Sequence, residues 1–239
     1  MRNFNGVPAA YFLCGTAMAD TSNQALLREA GELMGRETIA QGVHVLLGPC
    51  INMQRSPLGG WGFQLLSEDP VLAGLGAAAL IKGIKGIEGT GVAASIKQFV
   101  CNDQEHQRIL YNAIVTNRAL REIYFEPLQI ATRDAHLATY MTAYKKVNGL
   151  HASGEPRFVE EDPARGVGLE GLIMSDSHGI YSTTEAVEAG LDLEMPGPSR
   201  RRKAMLSHAL SSGKLSGMTL DDRTRLFYDS CTAALLLKS

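Results

Sequence analysis

The sequence predicts an α/β fold: a (β/α) barrel of the TIM type, incomplete or irregular, in one domain spanning residues 1–239. Three observations predict it. Short apolar, β-branched runs alternate with amphipathic stretches, and strand–helix alternation means parallel strands joined by crossovers. The length suits one barrel, since such folds run to about 250 residues. Charged and amide side chains also collect just after the apolar runs, where a barrel builds its active site.

In chain order, Pro8–Leu13 reads as a weak first strand. Val43–Pro49 is apolar and β-branched, and Gly48-Pro49 stops it. Gly91–Val100, Ala138–Tyr144, Gly171–Asp176 and Gly190–Pro196 continue the series. Helices are predicted between them. Asn23–Ala40 carries Leu26, Leu27, Ala30, Leu33 and Met34 at helical spacing. Asp69–Ile87 is rich in Ala and Leu, with Pro70 suited to a first turn. Asn117–Ala135 puts Leu120, Ile123, Tyr124 and Leu128 on one face, and Pro127 is expected to end or kink it. Thr183–Ala189, Arg201–Leu210 and Leu220–Leu237 follow, while Pro156–Gly168 has no decided assignment. Six strand candidates fall short of the eight of a closed barrel. An open barrel leaves an edge to cover, and a homodimer is one expected cover.

Composition excludes several classes. With 23 basic and 25 acidic residues the net charge is −2, which argues against nucleic acid as the main partner. No apolar run is long enough to span a bilayer, and the N-terminus has no apolar leader core. Cys14, Cys50, Cys101 and Cys231 form no CxxC pair, which points to free thiols in a reducing, cytoplasmic setting. The histidines show no HxxxH or HExxH spacing and no GxGxxG follows a strand, so neither a metal nor a nucleotide cofactor is expected. The expected partner is a small-molecule substrate.

The predicted strand ends lead into Asn52–Gly60, into Lys97-Gln98 and Asn102–Arg108, into Tyr144-Lys145-Lys146, into Asp176-Ser177-His178, and into Glu194–Lys203. Asp176 is the candidate nucleophile or base, with His178 beside it, and Lys97 or Tyr144 could steady an oxyanion. Each has a plainer reading. A lone strand-end lysine is often only solvated, and the Arg200–Lys203 run reads first as a solvated helix face.

The stretches "LLGPCINMQRSPLGG", "SEDP", "KQFVCNDQEHQR", "ALREIYFEPLQIA", "MTAYKKVNG", "GLIMSDSHG" and "AGLDLEMPGP", after an opening "FNGVPAA", resemble the barrel domain of glycoside hydrolase family 3, the β-glucosidase family, especially its fungal and yeast members. The resemblance implies a retaining mechanism with Asp176 as nucleophile. It implies that Lys97, Arg108 and Tyr144 bind sugar, with Met141 in the same subsite stretch. Five positions depart from the family pattern. Gln98 stands where the family has His, Trp61 where it has Arg, Gln64 where it has Glu, Lys145 where it has Asn, and Ser177 where it has Trp. The family's Asp-Gly-Pro-Asn-Gly segment would precede "FNGVPAA" and is not in this sequence. Its acid/base carboxylate lies in a following α/β sandwich domain, and no such second domain is expected here. Glu155, Glu160, Glu161, Asp103 and Glu105 are local carboxylates that could substitute, none favoured by spacing.

These departures lead to the expectation of a repurposed enzyme. It would perform acid–base chemistry, such as cyclisation, isomerisation, elimination or aldol-type bond making, on a less polar specialised metabolite. Asp176, His178, Lys97 and Tyr144 would act, and Trp61, Gln64, Gln98, Arg108, Met141, Lys145 and Ser177 would bind substrate. The alternative is a weak retaining O-glycoside hydrolase using Asp176. A second alternative is a binding protein without catalysis.

Overall fold

The computed structural model describes residues 8–86, 92–155, 171–199 and 202–236. In chain order the elements are α1 (Gly15–Ala19), α2 (Gln24–Ala40), β1 (Val45–Leu46), α3 (Pro70–Lys85), β2 (Ala93–Phe99), β3 (Asn112–Ala113), α4 (Asn117–Ala119), α5 (Glu126–Ala135), β4 (Thr139–Thr142), β5 (Lys146–Val147), β6 (Leu150–His151), β7 (Leu172–Ser175), α6 (Thr184–Glu188), α7 (Lys203–Ser211) and α8 (Gly217–Leu236).

Strands β1, β2, β4 and β7 pair in chain order, all parallel, as an α/β barrel requires. Among the described residues they form an arc of four. Both faces of the arc are buried at β4 and β7, where every residue is buried and polar side chains are limited to Thr139, Thr142 and Ser175. Met141, Leu172 and Met174 cluster on one face with Val45, Leu193 and Phe227 of α8. Ala94, Ile96, Tyr140 and Ile173 face the other way and join a core with Leu27 of α2, Ile81 of α3 and Leu128 of α5.

Two expected strands differ. Pro8–Leu13 forms no strand, and the Ala10 N–H instead donates to Glu37 Oε1 on α2 at 2.7 Å. Gly190–Pro196 meets β7 through a single bridge, Met174 to Leu193. The Asp192 and Leu193 N–H groups donate to the Ile173 carbonyl and the Ser175 N–H to that of Leu193, and the Asp192 side chain adds an acceptor for the Ile173 N–H at 2.8 Å. The structure also contains a small second sheet, β3–β5–β6, whose two-residue strands carry no sequence period to read.

The helices start where their caps predict. Asn23 accepts from the N–H groups of Ala25 and Leu26, and Asp69 from those of Val71 and Leu72 ahead of Pro70. The expected break at Pro127 does not occur. Proline lacks an N–H and crowds the carbonyl four residues back. A π-helical stretch over Leu120–Phe125 widens the ladder just before it, and the helix runs on to Ala135. No described helix is long and apolar enough to cross a membrane.

Helices α2 and α3 touch backbone to backbone. A Cβ on Gly83 would lie 2.1 Å from the Arg28 carbonyl oxygen, and one on Gly31 would lie 2.3 Å from that of Leu80. Gly83→Ala therefore has to push the helices apart and is expected to cost about 1–3 kcal/mol. A urea midpoint equal to that of the unaltered chain would contradict this contact.

Asp192 ties β7 to α8. It is only 9% exposed, and its Oδ1 lies 3.5 Å from Arg223 Nη1. Burial pushes its carboxyl up to about 6, against the opposing pull of the Ile173 N–H, Arg223 and Arg202. An acid with a raised folded pKa favours the fold while protonated. Its contribution is complete below its ordinary value of 3.8 and is lost as pH rises through about 6. Between those pH values the chain is expected to lose on the order of 3 kcal/mol through this group. Asp192→Asn, which stays neutral, should flatten that fall in urea melts at pH 4, 5, 6 and 7.

Candidate active site

The site assembles where β2, β4 and β7 end. Asp176 follows β7 directly and is half-buried. Its Oδ1 accepts from the Tyr144 hydroxyl at 3.0 Å and from the Ser177 N–H at 2.7 Å. Its Oδ2 accepts from Gln98 Nε2 at 2.9 Å. Among the described residues these are the carboxylate's hydrogen-bond partners.

Gln98 reaches the site because β2 slips in register there. Ile96 pairs with Tyr140, but Phe99 pairs with Thr142, which leaves Lys97 and Gln98 in an irregularity. Such bulges re-aim side chains beside active sites. The buried Gln98 is then fixed from behind. Its Oε1 accepts from Asn102 Nδ2, and its backbone carbonyl accepts from Asn52 Nδ2 at 2.7 Å. Asn52 Oδ1 in turn accepts from the Asn102 N–H at 2.8 Å. Asn102 Nδ2 also donates to Glu105 Oε1 at 2.8 Å, and Glu105 Oε2 accepts from Arg108 Nη1 at 2.5 Å. The Arg108 guanidinium lies 4.3 Å from the centre of the Tyr144 ring. The contacts thus form a closed circuit: Asp176, Gln98, Asn102, Glu105, Arg108, Tyr144 and back to Asp176.

Burial, and then the Asp176 charge, push the Tyr144 phenol upward, so it stays a donor at neutral pH. The Tyr181 hydroxyl is buried without a partner, and its ring stacks on His151 at 3.8 Å. Burial raises its phenol as well, with the Arg108 charge opposing and that of Asp176 adding.

A second group adjoins the circuit. The Lys97 ammonium lies 5.5 Å from the Trp61 ring centre, and Trp61 stacks on Phe63 at 6.3 Å. The Cys50 thiol donates to Gln64 Oε1 at 3.2 Å. Burial pushes that thiol up to about 11, with the Lys97 charge lowering it and that of Asp176 raising it. Gln64 and Lys97 therefore stand beside one buried thiol near the carboxylate, with Trp61 against Lys97.

The structure does not bring every expected residue to Asp176. Lys145 is fully buried, donates to the Gln104 carbonyl, and lies against the Tyr111 ring at 4.8 Å. Burial lowers its ammonium pKa. Met141 belongs to the apolar cluster of the strand arc. The side chains of Ser177 and His178 are exposed. His178 adopts φ 64°, and its N–H donates to the Met195 carbonyl at 2.8 Å. An Asp176–His178 pair is not among the carboxylate's bonds. Of the local carboxylates, Asp103 is held by the Tyr124 hydroxyl at 2.5 Å and the Met53 N–H at 3.2 Å. Glu105 is held by Arg108 and Asn102, and Glu155 is buried. Glu160 and Glu161 lie outside the described residues. Sequence reasoning missed Asn102 as the hinge of the circuit and read Glu105 only as a spare acid. The i,i+3 spacing of Glu105 and Arg108 was the available signal.

Parallel strands that end in a held carboxylate, a phenol, amides and cations form the strand-end site of an α/β-barrel fold. The chain belongs to glycosyl hydrolase family 3: the model of that family's N terminal domain matches residues 8–227. It is 54% identical over 224 residues to a probable beta-glucosidase J of Emericella nidulans, covering 94% of this chain and 26% of that protein. A probable beta-glucosidase I of Aspergillus oryzae is 53% identical, again with 94% of this chain and 26% of the relative covered. The crystal structure of a beta-glucosidase from Kluyveromyces marxianus in complex with glucose superposes with a TM-score of 0.90 at 44% identity, covering 97% of this chain and 28% of that one. The chain thus spans about a quarter of the length of the curated relatives it matches.

Gln98→Leu removes the donor to Asp176 Oδ2 and an acceptor of Asn102. It is expected to destabilise the chain by about 1–3 kcal/mol. Urea unfolding measures this, and no change in midpoint would mean that the amide bridge is not formed in solution.

Proposed function

We propose that this chain carries the nucleophile of a retaining β-glucosidase, and that Asp176 Oδ2 is the attacking atom. One observation supports the choice of atom. A carboxylate oxygen has two lone pairs. Among the described residues both on Oδ1 are taken, by Tyr144 and the Ser177 N–H, while Oδ2 accepts only from Gln98 and keeps one. That free pair forms the bond to the anomeric carbon as the bond to the leaving oxygen breaks. The leaving oxygen takes a proton from a general acid. Water then attacks the anomeric carbon of the glycosyl ester, gives up its proton, and returns Asp176 as a carboxylate. Tyr144 and Gln98 hold the carboxylate plane through both displacements, which lowers the cost of reaching the reactive geometry.

Cyclisation, isomerisation, elimination or aldol chemistry, expected from the departures in sequence, finds no support. The relatives bear β-glucosidase names over 94% of this chain. Asp176 is bonded to Gln98 and Tyr144 rather than paired with His178 as a base would be. Gln98 itself serves as a neutral donor, a role its amide fills without titrating.

A substrate whose leaving group departs unaided tests the nucleophile alone. Incubation with dinitrophenyl 2-deoxy-2-fluoro-β-glucoside is expected to add one fluoroglucosyl unit to the peptide containing Asp176, and Asp176→Ala should stay unlabelled. An unlabelled parent chain, or equal labelling of the variant, refutes the proposal.

A further inference from the structure

A second path of contacts reaches Asp176 Oδ1, and none of its links involves Gln98. The turn after the carboxylate is closed by the Gly179 N–H, which donates to the Asp176 carbonyl at 2.8 Å. Ile180 then anchors the chain in the main core. Tyr181 follows, half-buried, and its ring centre lies 3.8 Å from that of His151, with the planes 24° apart. His151 sits on β6, paired with Lys146 of β5. Its Nδ1 lies 3.3 Å from the Tyr144 carbonyl oxygen. A carbonyl only accepts, so Nδ1 carries the proton there. The Tyr144 hydroxyl completes the path by donating to Asp176 Oδ1 at 3.0 Å.

Each link has a physical reason to hold. Burial lowers the His151 pKa, against the pull of the Tyr144 carbonyl and with the Lys146 charge adding to it. The imidazole is therefore uncharged at neutral pH and offers a flat face for stacking. The Tyr181 hydroxyl is buried and has no hydrogen-bond partner. A buried hydroxyl without a partner costs stability, so the useful part of Tyr181 is its ring. The two rings come from different segments, one after β7 and one on β6. Their stack joins the segment that carries the nucleophile to the segment that holds Tyr144. The Ala152 N–H independently donates to the Lys145 carbonyl at 3.0 Å, so β6 stays in place without the stack.

We infer that Tyr181 is a positioning residue for glycosyl transfer to Asp176: through His151 its ring fixes the Tyr144 backbone, and so the direction from which the Tyr144 hydroxyl meets the nucleophile. The inference rests on the β-glucosidase reading and adds to it a residue that acts through two others. Loss of the ring loosens the grip on Oδ1 and lets the carboxylate plane turn away from the attacking geometry.

Inactivation by dinitrophenyl 2-deoxy-2-fluoro-β-glucoside, measured as rate against concentration, tests it. Tyr181→Leu should slow the saturated rate roughly 10–100-fold, while the half-saturating concentration changes much less. Tyr181→Phe keeps the ring and should recover the rate, with a urea midpoint no lower than that of the unaltered chain. His151→Phe keeps a stacking ring, loses the donor to the Tyr144 carbonyl and should slow the same step. It decides in place of Tyr181→Leu should that variant fail to fold. The ring-carbon NMR signal of Tyr144, identified by its loss in Tyr144→Phe, should move in Tyr181→Leu and His151→Phe and stay in Tyr181→Phe. An unchanged rate in folded Tyr181→Leu or His151→Phe, a Tyr181→Phe as slow as Tyr181→Leu, or an unmoved Tyr144 signal overturns the role of Tyr181. The two readings fail separately. Label on the unaltered chain with an unmoved Tyr144 signal removes Tyr181 and keeps the nucleophile. No label on the unaltered chain with a moved Tyr144 signal removes the nucleophile and keeps the hold of Tyr181 and His151 on Tyr144.

Discussion

The carboxylate of Asp176 depends on a circuit of hydrogen bonds that the Arg108 guanidinium closes through its contact with the Tyr144 ring. Gln98 grips one oxygen and Tyr144 the other. Behind them Asn102, Glu105 and Arg108 link the two grips. A carboxylate held from one side could rotate about its last bond. Held from both, it presents the open lone pair of Oδ2 in one direction. The circuit draws on the ends of β2, β4 and β7 and on the Cys101–Arg108 loop, so no single element forms the site.

The strand arc makes that circuit reachable. Parallel pairing puts the C-terminal ends of all four strands on one side. The register slip in β2 turns Lys97 and Gln98 toward that side. The glycine contacts between α2 and α3 allow the helical layer to pack closely behind the arc. A small change at Gly83 would therefore be felt as stability, while a change at Gln98 would be felt in both stability and geometry.

The departures from the family pattern acquire physical meaning here. Gln98 replaces a titrating ring with an amide, oriented by Asn102 so that its N–H₂ faces Asp176. Trp61, in place of an arginine, gives Lys97 a π-face in place of a neighbouring like charge. Lys145 is fully buried, with its ammonium 4.8 Å from the Tyr111 ring centre. These substitutions leave the carboxylate and its phenol partner in position.

Much of the fold was legible in the sequence because periodicity and caps are local. The apolar runs from Val43, Gly91, Ala138 and Gly171 each contain a strand, and Asn23 and Asp69 start their helices. Family-specific stretches also marked Asp176, Tyr144 and Arg108 as one group. Other features required tertiary structure. Pro127 is tolerated because a π stretch precedes it, and Gly190–Pro196 meets β7 through a short run of backbone bonds that the Asp192 carboxylate supplements. Lys145 is buried, and His178 is turned away from Asp176 by its left-handed backbone and its bond to Met195. The sequence by itself determined the kind of the longer elements and the side chains available at each strand end. Only the tertiary structure decided which side chains meet, because a hydrogen bond such as Gln98 to Asp176 depends on register and burial across 78 residues of chain.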